Sequence, residues 1–128
     1  MEKFDIRRFN EYRENNRLEV KKAKGGLPNS LWETYSSMAN SYGGVIVLGA
    51  EENSDGSFYT TGLKDDAKLK KNFWDTINNR SKVNINLLTD ASVETYDLNG
   101  DVIMVIHVPR AKREQRPVYI NNDMWNGS

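Results

Sequence analysis

Residues 17–52 read RLEVKKAKGGLPNSLWETYSSMANSYGGVIVLGAEE. Leu18 and Val20 alternate with charged residues, which is the spacing of a half-buried strand. Residues 30–33 (SLWE) have the S-x-x-E form of a capping box at a helix start, and the glycine pair 43–44 supplies a helix stop. The stretch therefore predicts a strand followed by a capped helix.

The predicted helix, residues 30–42, places four apolar side chains on one stripe: Leu31, Tyr35, Met38 and Tyr42. The run 45–48 is apolar without alternation, which is typical of a central strand buried on both faces. Because a strand–helix–strand crossover makes its two strands parallel, we expect strands 17–22 and 44–49 to be parallel neighbours in a right-handed β-α-β unit.

The second half of the chain predicts further strands and one more helix. Asn99-Gly100 suits a type I′ turn, so residues 92–98 should pair antiparallel with residues 101–108 in a C-terminal β-hairpin. The other predicted elements are a helix 5–14, a strand 58–60 after the Asp55-Gly56 turn, a helix capped by Asp65 or Asp66 with Leu69, Phe73 and Ile77 inward, and a strand 118–120. The expected fold class is α+β, with two main helices on one mixed sheet of five to six strands.

Length and composition set the class of protein. The 128 residues predict one domain, and the absence of Cys excludes disulfides and thiolate metal sites. The charged start of the chain does not resemble a signal peptide, and no apolar run approaches the roughly 20 residues of a membrane span. We expect a cytoplasmic protein without a membrane partner. The chain ends directly after Trp125 with no closing element, which suggests a fragment of a longer protein with a downstream domain.

Charge is segregated along a chain whose net charge is zero. The 18 Lys and Arg residues fall into three blocks, residues 3–24, 64–82 and 110–116. Segregation of this kind can build a basic face on a neutral molecule. The competing interpretation is that these cations lie on solvated helix and loop surfaces.

The basic candidates are expected to contact phosphates, which gives affinity without base readout. No interleaving of aromatic and basic residues predicts a base-stacking platform. The predicted nucleic-acid-binding residues are Lys21, Lys22, Lys24, Arg110, Lys112, Arg113 and Arg116.

Four acids are the only candidates for catalysis. Glu14 and Glu19 are five residues apart, and Glu51 and Glu52 follow the predicted parallel strand. If they converge, such carboxylates can bind Mg²⁺ or Mn²⁺ and activate water. The alternative is that Glu19 pairs with a neighbouring Lys while Glu51 and Glu52 lead a turn. His107, the single histidine, is predicted to be a core or edge residue because it has no partners for a zinc site or a triad.

The order of several short motifs resembles the Schlafen-type, Alba-like domain. The motifs extend from about residue 14 to residue 120, and only their joint order is specific. They are Leu18-Glu19-Val20-Lys21, Met38-Ala39-Asn40 before Gly43-Gly44, Val47-Leu48-Gly49-Ala50-Glu51, Gly62-Leu63, Val105-Ile106-His107-Val108-Pro109 and Pro117-Val118-Tyr119.

The resemblance implies a nucleic-acid-binding regulatory domain of a bacterial transcriptional regulator, with DNA favoured over RNA and no cofactor. The first alternative is a divalent-metal nuclease. Schlafen RNases use three acids, two of which have the same spacing as Glu14 and Glu19. Only this alternative requires Mg²⁺ or Mn²⁺. The second alternative is a protein-interaction or homodimerisation module. An ATPase role has no support, because the chain contains no G-x-x-x-x-G-K-[ST] motif.

Overall fold

A computed structural model describes residues 4–15 and 17–121 of the chain. Within them lie a four-stranded mixed sheet of order β1-β2-β6-β5, a separate two-stranded sheet of β3 and β4, and two α-helices. The elements are β1 (Leu18–Lys21), α1 (Leu31–Asn40), β2 (Gly44–Leu48), β3 (Ala50–Glu52), β4 (Phe58–Thr60), α2 (Asp66–Ile77), β5 (Val93–Leu98) and β6 (Asp101–Val108). The α+β class is confirmed.

The pairing of the main sheet agrees with the sequence prediction. β1 and β2 are parallel neighbours, with Leu18 opposite Val45, and α1 lies between them in the chain. β6 pairs antiparallel with β2 and also with β5. Asn99 and Gly100 join β5 to β6 with φ angles of 55° and 94°, the two positive values that a type I′ turn requires.

Gly49 divides the expected single sheet into two. Its φ is +101°, a conformation that L side chains rarely adopt, so the backbone turns at the end of β2 instead of continuing straight. The N–H of Gly49 donates to the Lys21 carbonyl at 2.8 Å, while its own carbonyl accepts from Thr61 and Gly62 at 2.8 and 3.0 Å. Residues 50–52 therefore pair with β4 in a second sheet, and the prediction of one continuous sheet was wrong.

α1 is shorter than the predicted helix 30–42, and its predicted cap is not formed. The Ser30 side chain makes no cap hydrogen bond; Ser30 is already in the αR region, and its Oγ accepts instead from Lys21 Nζ at 2.8 Å. The Gly43 stop is confirmed, since its N–H donates to the Met38 carbonyl at 2.7 Å. Because α1 ends before the stop, the apolar stripe does not reach Tyr42, which is 57% exposed.

The sheet carries a hydrophobic cluster on each face. One cluster packs α1 and α2 against β2 and β6, through side chains such as Tyr35, Phe73 and Ile106. The other joins Val47 and Phe9 on the opposite face, beneath the β3–β4 hairpin and the 3-10 turns Ile6–Glu11. The predicted helix 5–14 is thus a shorter 3-10 segment. α2 begins at its Asp65 cap, whose side chain accepts from the Lys68 N–H, as expected.

The predicted strand 118–120 is not a strand. Val118 is fully buried, but its N–H and carbonyl bond the side-chain amide of Asn40 at 2.7 and 2.8 Å. The next N–H, that of Tyr119, donates to Asn84 Oδ1 at 2.7 Å, and only an isolated bridge joins Ile120 to residue 83. Two backbone hydrogen bonds, from the Asn84 N–H to the Tyr119 carbonyl at 3.1 Å and from the Asn121 N–H to the Lys82 carbonyl at 2.8 Å, form this bridge, and asparagine side chains supply the remaining partners.

The final residues 122–128, including Trp125, lie outside the described residues. In the part of the chain that is described, no helix has the length and apolar character needed to cross a membrane.

Candidate nucleic-acid interface

Three lysines from two separate segments border one cleft of about 440 Å³. Lys24 follows β1, Lys64 precedes α2, and Lys68 lies in the first turn of α2; all three are exposed. We call this the lysine cleft. Lys24 and Lys64 also line an adjoining depression beside the turn between β5 and β6.

The floor of the lysine cleft is open backbone. Gly25 and Gly26 line it, and apart from the adjacent residues no heavy atom lies within 4 Å of the position that a Cβ would take at either glycine. Asp65 is the one acidic residue among the described residues of its lining, and its carboxylate accepts from the Lys68 N–H at 3.1 Å as the helix cap. The cleft therefore carries a net positive charge on a surface that a phosphate can approach closely.

The two lysines that precede Lys24 are engaged within the domain. The Lys21 side chain is only 11% exposed, and its Nζ lies 3.6 Å from Glu19 Oε1 in addition to the Ser30 bond. Lys22 is 62% exposed but lies 3.6 Å from Glu51 Oε1. For Lys24, no carboxylate lies within ion-pair distance in residues 4–15 and 17–121. The spacing of Lys21, Lys22 and Lys24 in the sequence did not indicate that their side chains lie in three different environments.

The predicted basic residues do not gather in one place. Lys22 and Lys24 follow β1, which ends where Lys21 pairs with Leu48, whereas Arg110 follows β6, which ends where Val108 pairs with Gly44. These two registers are four residues apart along β2, or about 13 Å. The 110–116 loop is held at the far end of α1, where the Ala111 N–H donates to the Ala39 carbonyl at 2.8 Å; within this loop Lys112 and Arg113 are exposed and Arg116 is half-buried.

At the Arg110 end of the sheet, two arginines lie against one exposed tyrosine. The guanidinium carbons of Arg17 and Arg110 are 5.0 and 5.6 Å from the centroid of the Tyr42 ring, within the range of cation–π attraction. The three side chains border an open groove of about 910 Å³ with apolar and aromatic walls, which include Phe4 and Tyr12 stacked at 5.2 Å. We call it the arginine–tyrosine groove.

The four candidate acids do not converge on one point. Glu14 Oε2 accepts from the Val20 N–H at 3.2 Å, and Glu19 pairs with Lys21. Glu14, Glu51 and Glu52 line one depression, and Glu14 also lines a neighbouring one with Glu19, so no depression is lined by all four acids. Across the described ranges, no three His, Cys, Asp or Glu side chains are grouped so that they could hold a metal ion. The convergence that a metal nuclease would need is therefore not found among these acids.

Glu51 has partners of its own. Besides Lys22, it accepts a hydrogen bond from the Tyr59 hydroxyl at 2.9 Å, and this bond raises the pKa of Tyr59 above its ordinary value. The carboxylate thus joins the β3–β4 hairpin to the end of β1. This arrangement agrees with the structural alternative, in which Glu51 and Glu52 lead a turn.

His107 is a half-exposed residue of β6 whose Nε2 lies 3.0 Å from Glu94 Oε1. The second Glu94 oxygen accepts from the Tyr96 hydroxyl at 2.6 Å, and this hydrogen bond raises the pKa of Tyr96 to about 12. His107 also meets Phe4 edge-on, with ring centroids 6.1 Å apart, at the wall of the arginine–tyrosine groove. His107 is half-buried on β6, an inner strand of the sheet, rather than in the core or on an edge strand as predicted.

Four residues of these two sites were not among the predicted binding residues. Lys64, Lys68 and Arg17 were counted only within the basic blocks 64–82 and 3–24, and Tyr42 was placed on the apolar stripe of the predicted helix. The sequence did contain one signal for Tyr42, because it directly precedes the glycine that stops the helix. A side chain beyond the last helical turn need not follow the helical spacing.

Comparison with known proteins identifies the family. The model of the Schlafen, AlbA_2 family matches residues 10–126, so the chain belongs to this family. The N-terminal domain of a RecG-related protein from Nitrosomonas europaea has the same fold, with a TM-score of 0.73 and 23% identity over 95% of this chain and 81% of that one.

A second solved structure is more distant. The DIP2311 protein from Corynebacterium diphtheriae matches with a TM-score of 0.55 and 18% identity, over 84% of this chain but only 20% of its own. No curated protein matches the chain.

Proposed function

We propose that this chain is a nucleic-acid-binding regulatory domain of a bacterial transcriptional regulator, active in the cytoplasm and joined to a downstream domain. Membership of the Schlafen, AlbA_2 family supports an association with nucleic acid. The N-terminal position of the similar domain in the RecG-related protein supports a place ahead of other domains.

The observation that carries the proposal is the convergence of Lys24, Lys64 and Lys68 on one cleft. Positively charged side chains repel one another when they lie close together. Three lysines around one cleft therefore favour a bound anion that offsets the repulsion. A phosphate of DNA meets this requirement, and contacts of this kind supply most sequence-independent affinity. The glycine floor lets the phosphate approach the backbone.

The other predicted cations take secondary roles in this proposal. Lys22, at the same end as the lysine cleft, contacts a neighbouring phosphate when it leaves Glu51. Lys21 has an indirect, structural role, because its hydrogen bond to Ser30 holds β1 to the start of α1. Arg110, together with the 112–116 loop cations Lys112, Arg113 and Arg116, contacts the nucleic acid from the other end of the sheet.

The experiment compares two charge-reversal variants of equal net charge. The first replaces Lys24, Lys64 and Lys68 by Glu; the matched control replaces Lys70, Lys71 and Lys82, exposed lysines of the same basic block that lie outside the lysine cleft. Binding to a labelled 20-base-pair duplex is measured by fluorescence anisotropy at several salt concentrations. We expect the cleft variant to lose binding at least ten-fold more than the control.

The salt dependence gives a second readout. Each lost phosphate contact lowers the slope of log affinity against log salt by about 0.9, so a single Lys24→Glu change should flatten the slope by about one unit. If the two triple variants lose affinity equally, the effect is one of net charge alone and the lysine cleft is not the interface. If the unmodified domain binds no nucleic acid, the proposed function is wrong.

A further inference from the structure

We infer that the arginine–tyrosine groove receives an unpaired base of a single-stranded nucleic acid, with Arg17 and Arg110 on the flanking phosphates. This inference rests on the proposed function and specifies the kind of nucleic acid that the domain recognises. It differs from the lysine cleft in place and in chemistry, because the lysine cleft has no aromatic residue in its lining within the described ranges.

The groove carries positive charge that no acidic side chain in residues 4–15 and 17–121 balances at ion-pair distance. Arg17 and Arg110 are both drawn to Tyr42, although like charges on one ring repel each other. In residues 4–15 and 17–121 no carboxylate lies within ion-pair distance of either guanidinium, and no acidic residue there lines the groove. A guanidinium pair of this kind favours a bound phosphate or carboxylate, to which it can donate several hydrogen bonds.

The groove also has the size and the walls of a binding site. Its volume of about 910 Å³ lies within the range of ordinary ligand pockets. The Phe4 and Tyr12 rings stack on one another at the wall, with His107 beside them and Tyr42 at the rim. Aromatic walls of this type hold bases by stacking, whatever the base, because every base has a π-face.

Unbalanced arginines beside aromatic walls favour a single strand over a duplex or a peptide. The bases of a duplex are stacked on each other and paired, so their faces are not available to the groove. The side chains of an acidic peptide satisfy the arginines but leave the aromatic walls without a planar partner. An unpaired nucleotide supplies both the anion and the planar ring.

The experiment measures the contribution of the base directly. A labelled 20-nucleotide poly-dT strand and an abasic strand of the same length and charge are compared by fluorescence anisotropy against the whole chain. Because stacking of one base is worth about 1–3 kcal/mol, we expect poly-dT to bind about ten-fold more tightly than the abasic strand. The Tyr42→Ala variant should reduce this difference to two-fold or less.

Two control variants separate stacking from folding. Tyr42→Phe keeps the ring and should keep the ten-fold difference. Tyr59→Ala removes a tyrosine that is also exposed, at 42%, but lies on β4 away from the groove, so it should behave as wild type. Thermal melting of each variant checks that the fold is intact. Cross-linking of a 4-thiothymidine strand, mapped by mass spectrometry, should label the groove residues.

The outcomes distinguish this inference from the proposed function. If duplex, poly-dT and abasic strands all bind and the base makes no difference, the inference is wrong while the proposed function stands. If none of them binds, the proposed function is wrong as well. If Tyr42→Ala abolishes a concentration-dependent dimer without changing any base-dependent affinity, the groove is a contact between copies of the chain, which overturns the inference.

Discussion

Tyr35 joins the helical layer to an irregular segment through its hydroxyl group. It is 1% exposed; its hydroxyl donates to the Ile85 carbonyl at 2.9 Å and accepts from the Leu87 N–H at 3.0 Å. Burial raises the pKa of Tyr35 to about 12, although the Leu87 hydrogen bond opposes the shift. A buried hydroxyl with two backbone partners therefore contributes to the fold only while it stays protonated.

This hydroxyl predicts a loss of stability in alkali. The unfolded tyrosine ionises near pH 10 and the folded one near 12, so its contribution is complete below about pH 10 and is lost as the pH rises towards 12. The loss should reach about 2 kcal/mol by pH 11.5, and Tyr35→Phe should remove this part of the pH dependence of stability. Urea unfolding at pH 8 to 11.5 measures it.

The comparison needs two controls, because Glu94 raises the pKa of Tyr96 to about the same value and the hydrogen bond to Glu51 raises the pKa of Tyr59. Tyr96→Phe and Tyr59→Phe, measured beside Tyr35→Phe, show how much of the alkaline slope belongs to each hydroxyl. If Tyr35→Phe keeps the full slope of the wild type, the buried hydroxyl does not control it.

At the scale of elements, the turn between β2 and β3 depends on glycine more strongly than the hairpin turn does. A Cβ on Gly49 would lie 3.2–3.3 Å from Leu63, Ile103 and the Val102 carbonyl, whereas a Cβ on Gly100 would meet nothing within 4 Å. Both residues have a positive φ, at +101° and +94°.

Replacing each glycine by alanine tests this difference. Gly100→Ala should cost about 1–2 kcal/mol through backbone strain alone. Gly49→Ala adds close contacts with its neighbours to the same strain and should cost at least 1 kcal/mol more. Denaturant unfolding of both variants measures the two free energies, and equal losses would show that the space around Gly49 is not limiting.

The sequence predicted those elements whose signals are local. The parallel pair β1–β2, the Gly43 stop, the Asp65 cap and the Asn99-Gly100 turn each depend on spacing or on a backbone conformation that few residues adopt. It did not predict where long-range contacts compete with a local motif. Ser30 has the residue type of a cap, but its hydroxyl is bound by Lys21, which arrives from the neighbouring strand.

Long-range contacts limit the prediction of the candidate sites even more than the prediction of the fold. Lys24 was predicted from its exposed loop, but Lys64 and Lys68 join it only because the start of α2 packs beside the β1–α1 connection. Arg17 and Arg110 are 93 positions apart in the chain. The parallel pairing of β1 with β2 places Arg17 beside the start of β2, and the antiparallel pairing of β2 with β6, which the sequence did not predict, brings Arg110 to the same ring.

For the whole molecule, net charge is a poor guide to binding. The chain carries no net charge, yet its cations form separate sites near the two ends of the β1–β2 pair, each with few or no acids in its described lining. Local potential at a cleft depends on the nearby charges, since distant ones are screened beyond a Debye length of about 8 Å at physiological salt. The acids elsewhere on the surface therefore do not cancel the two sites.

This separation predicts that the two sites act independently. The sites share no lining residue among the described ones, so their mutational effects should add. We expect Lys24→Glu combined with Arg110→Glu to weaken binding to a single strand by the product of the two individual factors, within about two-fold. A double-mutant cycle, measured by fluorescence anisotropy, tests this expectation. A combined loss of affinity markedly smaller than the product of the two individual losses would show that the two sites are coupled.

The hydrogen bonds that the side chains of Asn40 and Asn84 accept from the backbone of Val118 and Tyr119 have a consequence for hydrogen exchange. Backbone amides in irregular segments usually exchange rapidly with deuterium, because local opening there needs little free energy. The amides of Val118 and Tyr119 are instead held by side chains that belong to the end of α1 and to the segment after α2. They should exchange as slowly as those of β6, so the slowest-exchanging core would include a stretch of chain without regular secondary structure.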